Sequence, residues 1–242
     1  MSFRTVFVAI TIAFALILAA FLVNRQRPAV ETAQPTADFV RASGKCAECH
    51  ARLQYSVVHE YEMSAHAKKG INCLDCHQPG PNQQKQDHHG FVIATHLTAG
   101  NCRSCHENIY QEFLRSRHAA PSWAAIYGEA GLKPEQVSFS EQFQPGGTKR
   151  PPHPFVHAEG GPAMTSGCEQ CHSIGKPNDD GTIGTCTACH SRHTSSVALA
   201  RLPTTCGQCH MGPDHSQMEI YNESRHGVLF AAQRALLNLD AS

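Results

Sequence analysis

The feature that most constrains this chain is a five-residue motif, C-x-x-C-H, which occurs six times in 242 residues. The six copies use all 12 cysteines, so no cysteine is left for other chemistry. The copies are Cys46-Ala-Glu-Cys49-His50, Cys73-Leu-Asp-Cys76-His77, Cys102-Arg-Ser-Cys105-His106, Cys168-Glu-Gln-Cys171-His172, Cys186-Thr-Ala-Cys189-His190 and Cys206-Gly-Gln-Cys209-His210.

This motif is typical of covalent c-type haem attachment. The two thiols add to the haem vinyl groups as thioethers, and the adjacent histidine binds the iron as proximal ligand. A zinc ribbon also uses C-x-x-C pairs, but zinc does not require a histidine after every second cysteine. A disulfide framework would leave the six histidines unexplained. The sequence therefore predicts six covalently bound haem c groups, with the six motif histidines as proximal iron ligands.

The composition limits the kind of core that the chain can build. Hydrophobic residues make up only 41%, and Trp123 is the single tryptophan. About 33 residues serve each motif from Cys46 onward, which is too few to enclose each porphyrin separately. We therefore expect a mainly α, irregular fold in which stacked haems form the core. Twenty basic residues balance twenty acidic ones, which argues against a nucleic-acid partner.

An uncharged hydrophobic segment, Thr5–Val23, lies near the N-terminus, with Arg4 before it and Arg25 and Arg27 after it. Its length fits a membrane-spanning helix of about 17–25 residues better than a signal-peptide core of about 7–15. No clear cleavage site follows. We expect an N-terminal hydrophobic helix that anchors the protein, with a cleaved signal peptide as the alternative. Because haem attachment requires export, we expect the part of the chain after this segment to lie on the periplasmic side of the membrane, or free in the periplasm if the segment is cleaved.

These features predict three regions. Residues 1–24 are the anchor or signal peptide, residues 25–44 a tether rich in Pro, Ala, Thr and Gln, and residues 45–242 the hexahaem domain. The 66-residue spacing between the third and fourth motifs is rich in Pro, Gly and Gln. After Tyr127 we expect it to be loop.

Eleven histidines outside the motifs could supply the second axial ligand that a low-spin haem needs. Three occur as Ser-x-His in expected helices: His66 in Tyr55–Ala67, His118 in Asn108–Ala119, and His226 in the helix from Ser216. We expect these three to be distal ligands, and His193 to reach a neighbouring haem. The remaining candidates are one of His88 and His89, then His96, and one of His153 and His157. His59 is expected to be structural.

A polar pair, Asp214-His215, follows the sixth motif. Asp214 could cap the helix that follows, since Asp is a favoured N-cap residue. Alternatively, the two side chains could lie over an open haem iron and move protons during multi-electron chemistry.

The chain resembles the octahaem hydroxylamine oxidoreductase family over about residues 45–240. The likeness rests on motif order and spacing and on four short sequences: Met63-Ser-Ala-His66, Lys85-Gln-Asp-His88, Ser191-Arg-His193 and Ser224-Arg-His226-Gly227. The resemblance implies that the haem on His172 is catalytic, with an open distal face lined by Asp214 and His215. It also implies that the other haems are bis-histidine electron carriers.

Two departures from that family shape the expected function. The family has eight haems where this chain has six motifs, and its cross-linking C-terminal tyrosine has no counterpart here. The chain is therefore either a fragmentary form or a short relative, and reduction of nitrite or hydroxylamine is as well supported as oxidation. We expect a multihaem oxidoreductase acting on a small nitrogen compound, served by redox partner proteins or a quinol-linked membrane complex, with homo-oligomerisation open. The alternatives are a membrane-anchored hexahaem electron-transfer protein without a substrate and a structural subunit of a respiratory complex.

Overall fold

The structure is a computed structural model that describes residues 37–158 and 160–241, together with Arg4, Phe14 and Leu18. The chain divides into two units, Met1–Gln34 and Pro35–Ser242. Apart from Arg4, Phe14 and Leu18, the expected anchor lies outside the described residues, as does the expected tether up to residue 36. Among the residues described, no helix combines the length and the apolar character needed to cross a bilayer.

Short helices make up most of the second unit, which confirms the mainly helical, irregular fold expected from the sequence. They are α1 (Ala37–Leu53), α2 (Tyr55–Met63), α3 (Ala65–Lys68), α4 (Cys73–His77), α5 (Ala99–Arg103), α6 (Glu107–Leu114), α7 (Ala120–Tyr127), α8 (Pro134–Phe143), α9 (Phe155–Ala158), α10 (Gly160–Ser166), α11 (Glu169–His172), α12 (Val197–Ala200), α13 (Pro203–Cys206), α14 (Gln217–Glu223) and α15 (Arg225–Gln233), with 3-10 turns at Ser173–Gly175, Cys186–Ala188 and Arg234–Leu236.

A small hairpin carries His88. Its strands β1 (Lys85–His88) and β2 (Phe91–Ala94) pair antiparallel, with His88 opposite Phe91. The turn residues His89 and Gly90 both have positive φ, 54° and 84°. Two consecutive positive φ values match the twist of a two-residue hairpin turn, so the turn fixes His88 at the end of its strand.

Two of the expected long helices are broken at a serine. Ser64 ends α2 and begins α3, and its hydroxyl accepts a hydrogen bond from the Ala67 amide at 3.0 Å. Ser224 plays the same part between α14 and α15, accepting from the Gly227 amide at 3.1 Å. The backbone is extended at both serines, because an N-cap residue takes a non-helical conformation.

The expectation of loop after Tyr127 is wrong. Helices α8, α9 and α10 occupy much of this segment. Pro134 is the first residue of α8, a position where its fixed φ suits a helix and its missing N–H costs nothing. Proline therefore starts a helix here.

The core of packed side chains is small. Ala119, Ala120 and Ile183 form its fully buried centre, with Phe113, Leu114 and Leu132 packed around it. Half of the buried hydrophobic residues in the described part are alanines. A chain of this length normally buries a much larger apolar core, so the side chains alone do not account for the fold.

Candidate haem-binding sites

Helical geometry brings the three functional residues of each motif together. In the last four motifs, the histidine amide donates to the carbonyl of the first cysteine across one turn, at 2.9–3.0 Å. The second motif forms α4 and the first lies within α1. Residues three and four positions apart share one face of a helical turn. The two thiols and the imidazole of each motif can therefore reach one planar ligand.

Five motif histidines face a second imidazole. The ring centroids are separated by similar distances in all five pairs: His50 with His88 at 6.0 Å, His77 with His193 at 6.4 Å, His106 with His66 at 5.9 Å, His172 with His215 at 6.3 Å, and His210 with His118 at 5.9 Å. Each pair joins a motif histidine to one from outside the motifs.

These separations fit two axial ligands of one iron. An imidazole nitrogen binds a metal at about 2.0–2.1 Å and lies about 1.2 Å from its ring centre, so two imidazoles sharing an ion have centroids about 6.3 Å apart. The donor set therefore fits haem, which would supply one-electron redox chemistry when bound.

Burial favours the neutral form of several of these imidazoles. It lowers the pKa of His66, His77, His118 and His193. For the first three, the other imidazole of the pair lowers the pKa further. Neutral imidazole is the form that binds a metal ion, so these positions are prepared for coordination.

Not every predicted distal ligand reaches a motif histidine. His66, His88, His118 and His193 do. His226, expected to be a ligand, is exposed and has no imidazole against it among the described residues, and the same holds for His96. His89 packs on His88 at 4.7 Å instead of reaching a motif. His153 packs on Phe155, and His157 is exposed.

Thiol contacts show the order of the motifs in space. The thiol of Cys73 contacts that of Cys46, Cys102 contacts Cys186, and Cys209 contacts Cys171. Cys76 interacts electrostatically with Cys102, and Cys189 with Cys206. Numbered along the sequence, the motifs therefore follow one another as first, second, third, fifth, sixth and fourth. The fourth motif, which contains His172, lies at one end of this series.

The turn after the sixth motif places His215 over His172. The Gly212 amide donates to the carboxylate of Glu219 at 2.9 Å, and Gly212 has a φ of +80° that favours glycine. Ser216 is the N-cap residue of α14. Asp214 lies outside the helix, is exposed, and makes no hydrogen bond within the described residues. The N-cap interpretation of Asp214 is therefore wrong, and its carboxylate is free beside His215.

The proximal side of His172 is held by contacts that the sequence did not reveal. Its Nδ1 lies 2.7 Å from the carbonyl oxygen of Ser122. Tyr127 donates to Glu169 at 2.7 Å, and Lys176 donates to the same carboxylate at 3.0 Å. Burial opposes ionisation of Glu169, but these hydrogen bonds outweigh it and lower its pKa.

A metal-bound histidine usually donates its second nitrogen to such an acceptor, which fixes the ring and raises its basicity. Ser122 contacts His172 through its backbone carbonyl, so no pattern of side chains in the sequence could have indicated this contact. Glu169 is one of the two residues between the cysteines of the fourth motif, and nothing in the motif indicates that it accepts hydrogen bonds from Tyr127 and Lys176.

Comparison with known proteins places these motifs in a family. The family described as "Seven times multi-haem cytochrome CxxCH" matches residues 69–242. A probable nitrite reductase-hydroxylamine oxidoreductase fusion protein of Kuenenia stuttgartiensis is 27% identical over an alignment of 227 positions, which covers 81% of this chain and 23% of that protein.

Two solved structures share the fold. A hypothetical multiheme protein aligns with a TM-score of 0.63 at 20% identity, over 88% of this chain and 52% of that one. A chain of a reducing HAO-like protein complex of Kuenenia stuttgartiensis aligns with a TM-score of 0.52 at 23% identity, over 81% of this chain and 37% of that one. This chain thus spans about half, or less, of each relative. It belongs to the multihaem c-type cytochromes with C-x-x-C-H motifs, a redox family in which its relatives include hydroxylamine oxidoreductase-like proteins.

Proposed function

We propose that this cytochrome carries out redox chemistry on a small nitrogen compound, nitrite or hydroxylamine, at the haem held by His172. The observation that carries the proposal is the position of Asp214 and His215, which the resemblance marks as the distal pair. His215 faces His172 at 6.3 Å, and the Asp214 carboxylate is free beside it. The low-identity likeness to a protein named as a nitrite reductase-hydroxylamine oxidoreductase fusion supports the same chemistry.

The two side chains would position the substrate and move protons. At 6.3 Å the two imidazoles leave room for a metal ion between them but not for a substrate as well. For a substrate to bind there, His215 would have to move aside. Met211, Pro213, Asp214 and His215 are all exposed, so close packing in the described chain does not block that movement. From there the imidazole and the carboxylate would transfer protons to a reacting nitrogen oxyanion.

The order of the motifs supports an electron path to this site. The haem on His172 would end the series, and the haem on His50 would begin it. Electrons would enter or leave at the first motif, where Cys49 is exposed, and pass through the intervening haems. Redox partner proteins or a quinol-linked membrane complex would exchange electrons there. We propose that this takes place on the periplasmic side of the membrane, with residues 1–24 as anchor or signal peptide.

The test compares nitrite and hydroxylamine turnover, with an artificial electron donor or acceptor, in the wild type and in Asp214→Asn. Loss of one positioned acid–base group typically lowers a rate about 10²–10⁴-fold. We expect a fall of that size in Asp214→Asn, with haem content unchanged. Asp240→Asn, which removes another exposed carboxylate, is the matched control and should retain full activity. Equal rates in all three proteins would contradict the role of Asp214.

A second candidate function is electron transfer without a substrate, and one observation favours it. The separation of His172 and His215 lies within the range of the four other imidazole pairs, 5.9–6.4 Å. If His215 remained bound to the iron throughout, the haem on His172 would be one more electron carrier. Absence of turnover in the wild type, with a His215→Ala variant that gains one high-spin haem, would establish this function instead.

A further inference from the structure

One motif histidine differs from the other five. All 17 histidines of the chain lie among the described residues, so every candidate partner can be located. Within them, no second imidazole faces His190 of the fifth motif. His66 comes near enough to interact with it electrostatically, but the His66 ring pairs with His106 at 5.9 Å.

Six histidines lie outside the five imidazole pairs, and none of them forms a ring contact with His190 in the described chain: His59, His89, His96, His153, His157 and His226. His59 stacks on Tyr55, and His153 packs on Phe155. His193, only three residues from His190 in sequence, is already paired with His77. In the described chain, His190 is therefore the motif histidine that no second imidazole faces.

We propose that the haem iron held by His190 keeps its sixth coordination position for a small external ligand. The ligand class is the small anionic or diatomic molecules that bind haem iron, of the size of cyanide, nitric oxide or carbon monoxide. His190 is partly exposed and the adjacent Cys189 and Ser191 are exposed, so solvent reaches this part of the chain. The proposal rests on haem attachment at the fifth motif, but not on the chemistry proposed at His172.

The fifth motif lies between other motifs, so a ligand bound at its haem would affect electron transfer along the series. The fifth motif contacts the third through Cys186 and interacts electrostatically with the sixth through Cys189. It lies inside the series, not at either end. A ligand bound there would change the reduction potential of an internal carrier, because axial ligation is a principal determinant of that potential. Ligand binding at His190 would thus control electron flow between the two ends.

The test uses electron paramagnetic resonance and cyanide titration of the full, haem-loaded chain. In the wild type we expect one high-spin ferric haem that cyanide converts to low spin. His215→Ala should add a second high-spin haem at His172, while the first keeps its cyanide affinity. Asp214→Asn should also leave that affinity unchanged. These variants separate the two sites, because only the iron on His172 responds to Asp214 or His215.

A second pair of variants locates the signal. Cys186→Ala with Cys189→Ala should remove one haem from the intact mass and abolish the high-spin signal. Cys46→Ala with Cys49→Ala, the matched control at the end of the series, should remove one haem and keep the signal. The proposal is overturned by a wholly low-spin wild type, which would mean that a methionine or a partner's side chain fills the position. It is equally overturned by a signal that survives loss of the fifth motif, or whose cyanide affinity changes with Asp214. Failure of nitrite turnover leaves these outcomes unaffected.

Discussion

At the scale of single residues, a serine two positions before a histidine has a local physical role. Ser64 and Ser224 each cap a short helix, so the histidine becomes its second residue. At the third such sequence, the His118 amide donates to the Ser116 hydroxyl at 3.2 Å. The local chemistry is shared, but its result is not: His66 and His118 reach motif histidines, whereas His226 remains exposed.

This difference gives a prediction for spin state. His66→Ala and His118→Ala should each convert one low-spin haem to high spin, because each removes the imidazole opposite a motif histidine. His226→Ala is the matched control, since it removes the histidine of the same short sequence without removing an axial ligand. Electron paramagnetic resonance of the three ferric proteins measures the outcome. A gain of high-spin haem in His226→Ala would show that this histidine moves to an iron.

Local patterns could predict part of the ligand set, but not all of it. Cysteine spacing identifies the six motifs, and the Ser-x-His sequences identify His66 and His118. Which iron each histidine serves depends on contacts between distant segments. His193 faces His77, more than a hundred positions earlier, and its amide donates to Glu60 at 2.9 Å. No local periodicity contains such pairings.

At the scale of elements, close backbone approach holds the ligand-bearing turns together. Gly175 ends the 3-10 turn that follows the fourth motif. A Cβ atom at this position would lie 2.0 Å from the carbonyl oxygen of Ala119. Only glycine therefore lets this turn pack against the residue that follows His118. The contact joins the segment of the fourth motif to the ligand of the sixth.

Substitution at this contact should destabilise the protein. We expect Gly175→Ala to lower the free energy of unfolding by about 1–3 kcal/mol, since overpacking forces backbone shifts of that cost. Gly161→Ala is the control, because nothing lies within 4 Å of a Cβ at Gly161. Thermal unfolding of the haem-loaded proteins compares the two. Equal midpoints for both variants would mean that the two turns separate freely.

Element boundaries were harder to predict than element type. The sequence correctly indicated helix around Tyr55–Ala67, but the break at Ser64 depends on its hydroxyl capping the second segment. Proline and glycine between the third and fourth motifs resembled loop, although Pro134 begins α8. In both cases a residue that disfavours helix interiors instead defines where a helix begins.

At the scale of the whole molecule, the number of haems is a direct prediction. Each of the six motifs is complete, and the family that the chain matches is described by a sevenfold repeat. We expect the intact mass of the mature protein, measured by mass spectrometry, to exceed the mass of the polypeptide by six haem masses, after allowance for any removed signal peptide. Five or fewer in a fully matured sample would show that one motif is not used.

The last prediction concerns what holds the molecule together. The buried side-chain core is centred on two alanines and an isoleucine, and half of the buried apolar residues of the described part are alanines, which bury little area. The five imidazole pairs leave room between their rings for an iron, so bound haem would bridge the segments that carry them. When a binding site also serves as the core, the free energy of binding the group contributes directly to the free energy of folding.

Protein produced without haem attachment should therefore lack a cooperative unfolding transition and be digested rapidly by protease, whereas the haem-loaded chain resists digestion. Far-ultraviolet circular dichroism during heating, together with limited proteolysis, distinguishes the two forms. A haem-free chain with a sharp transition and matching protease resistance would show that side-chain packing alone is sufficient for the fold.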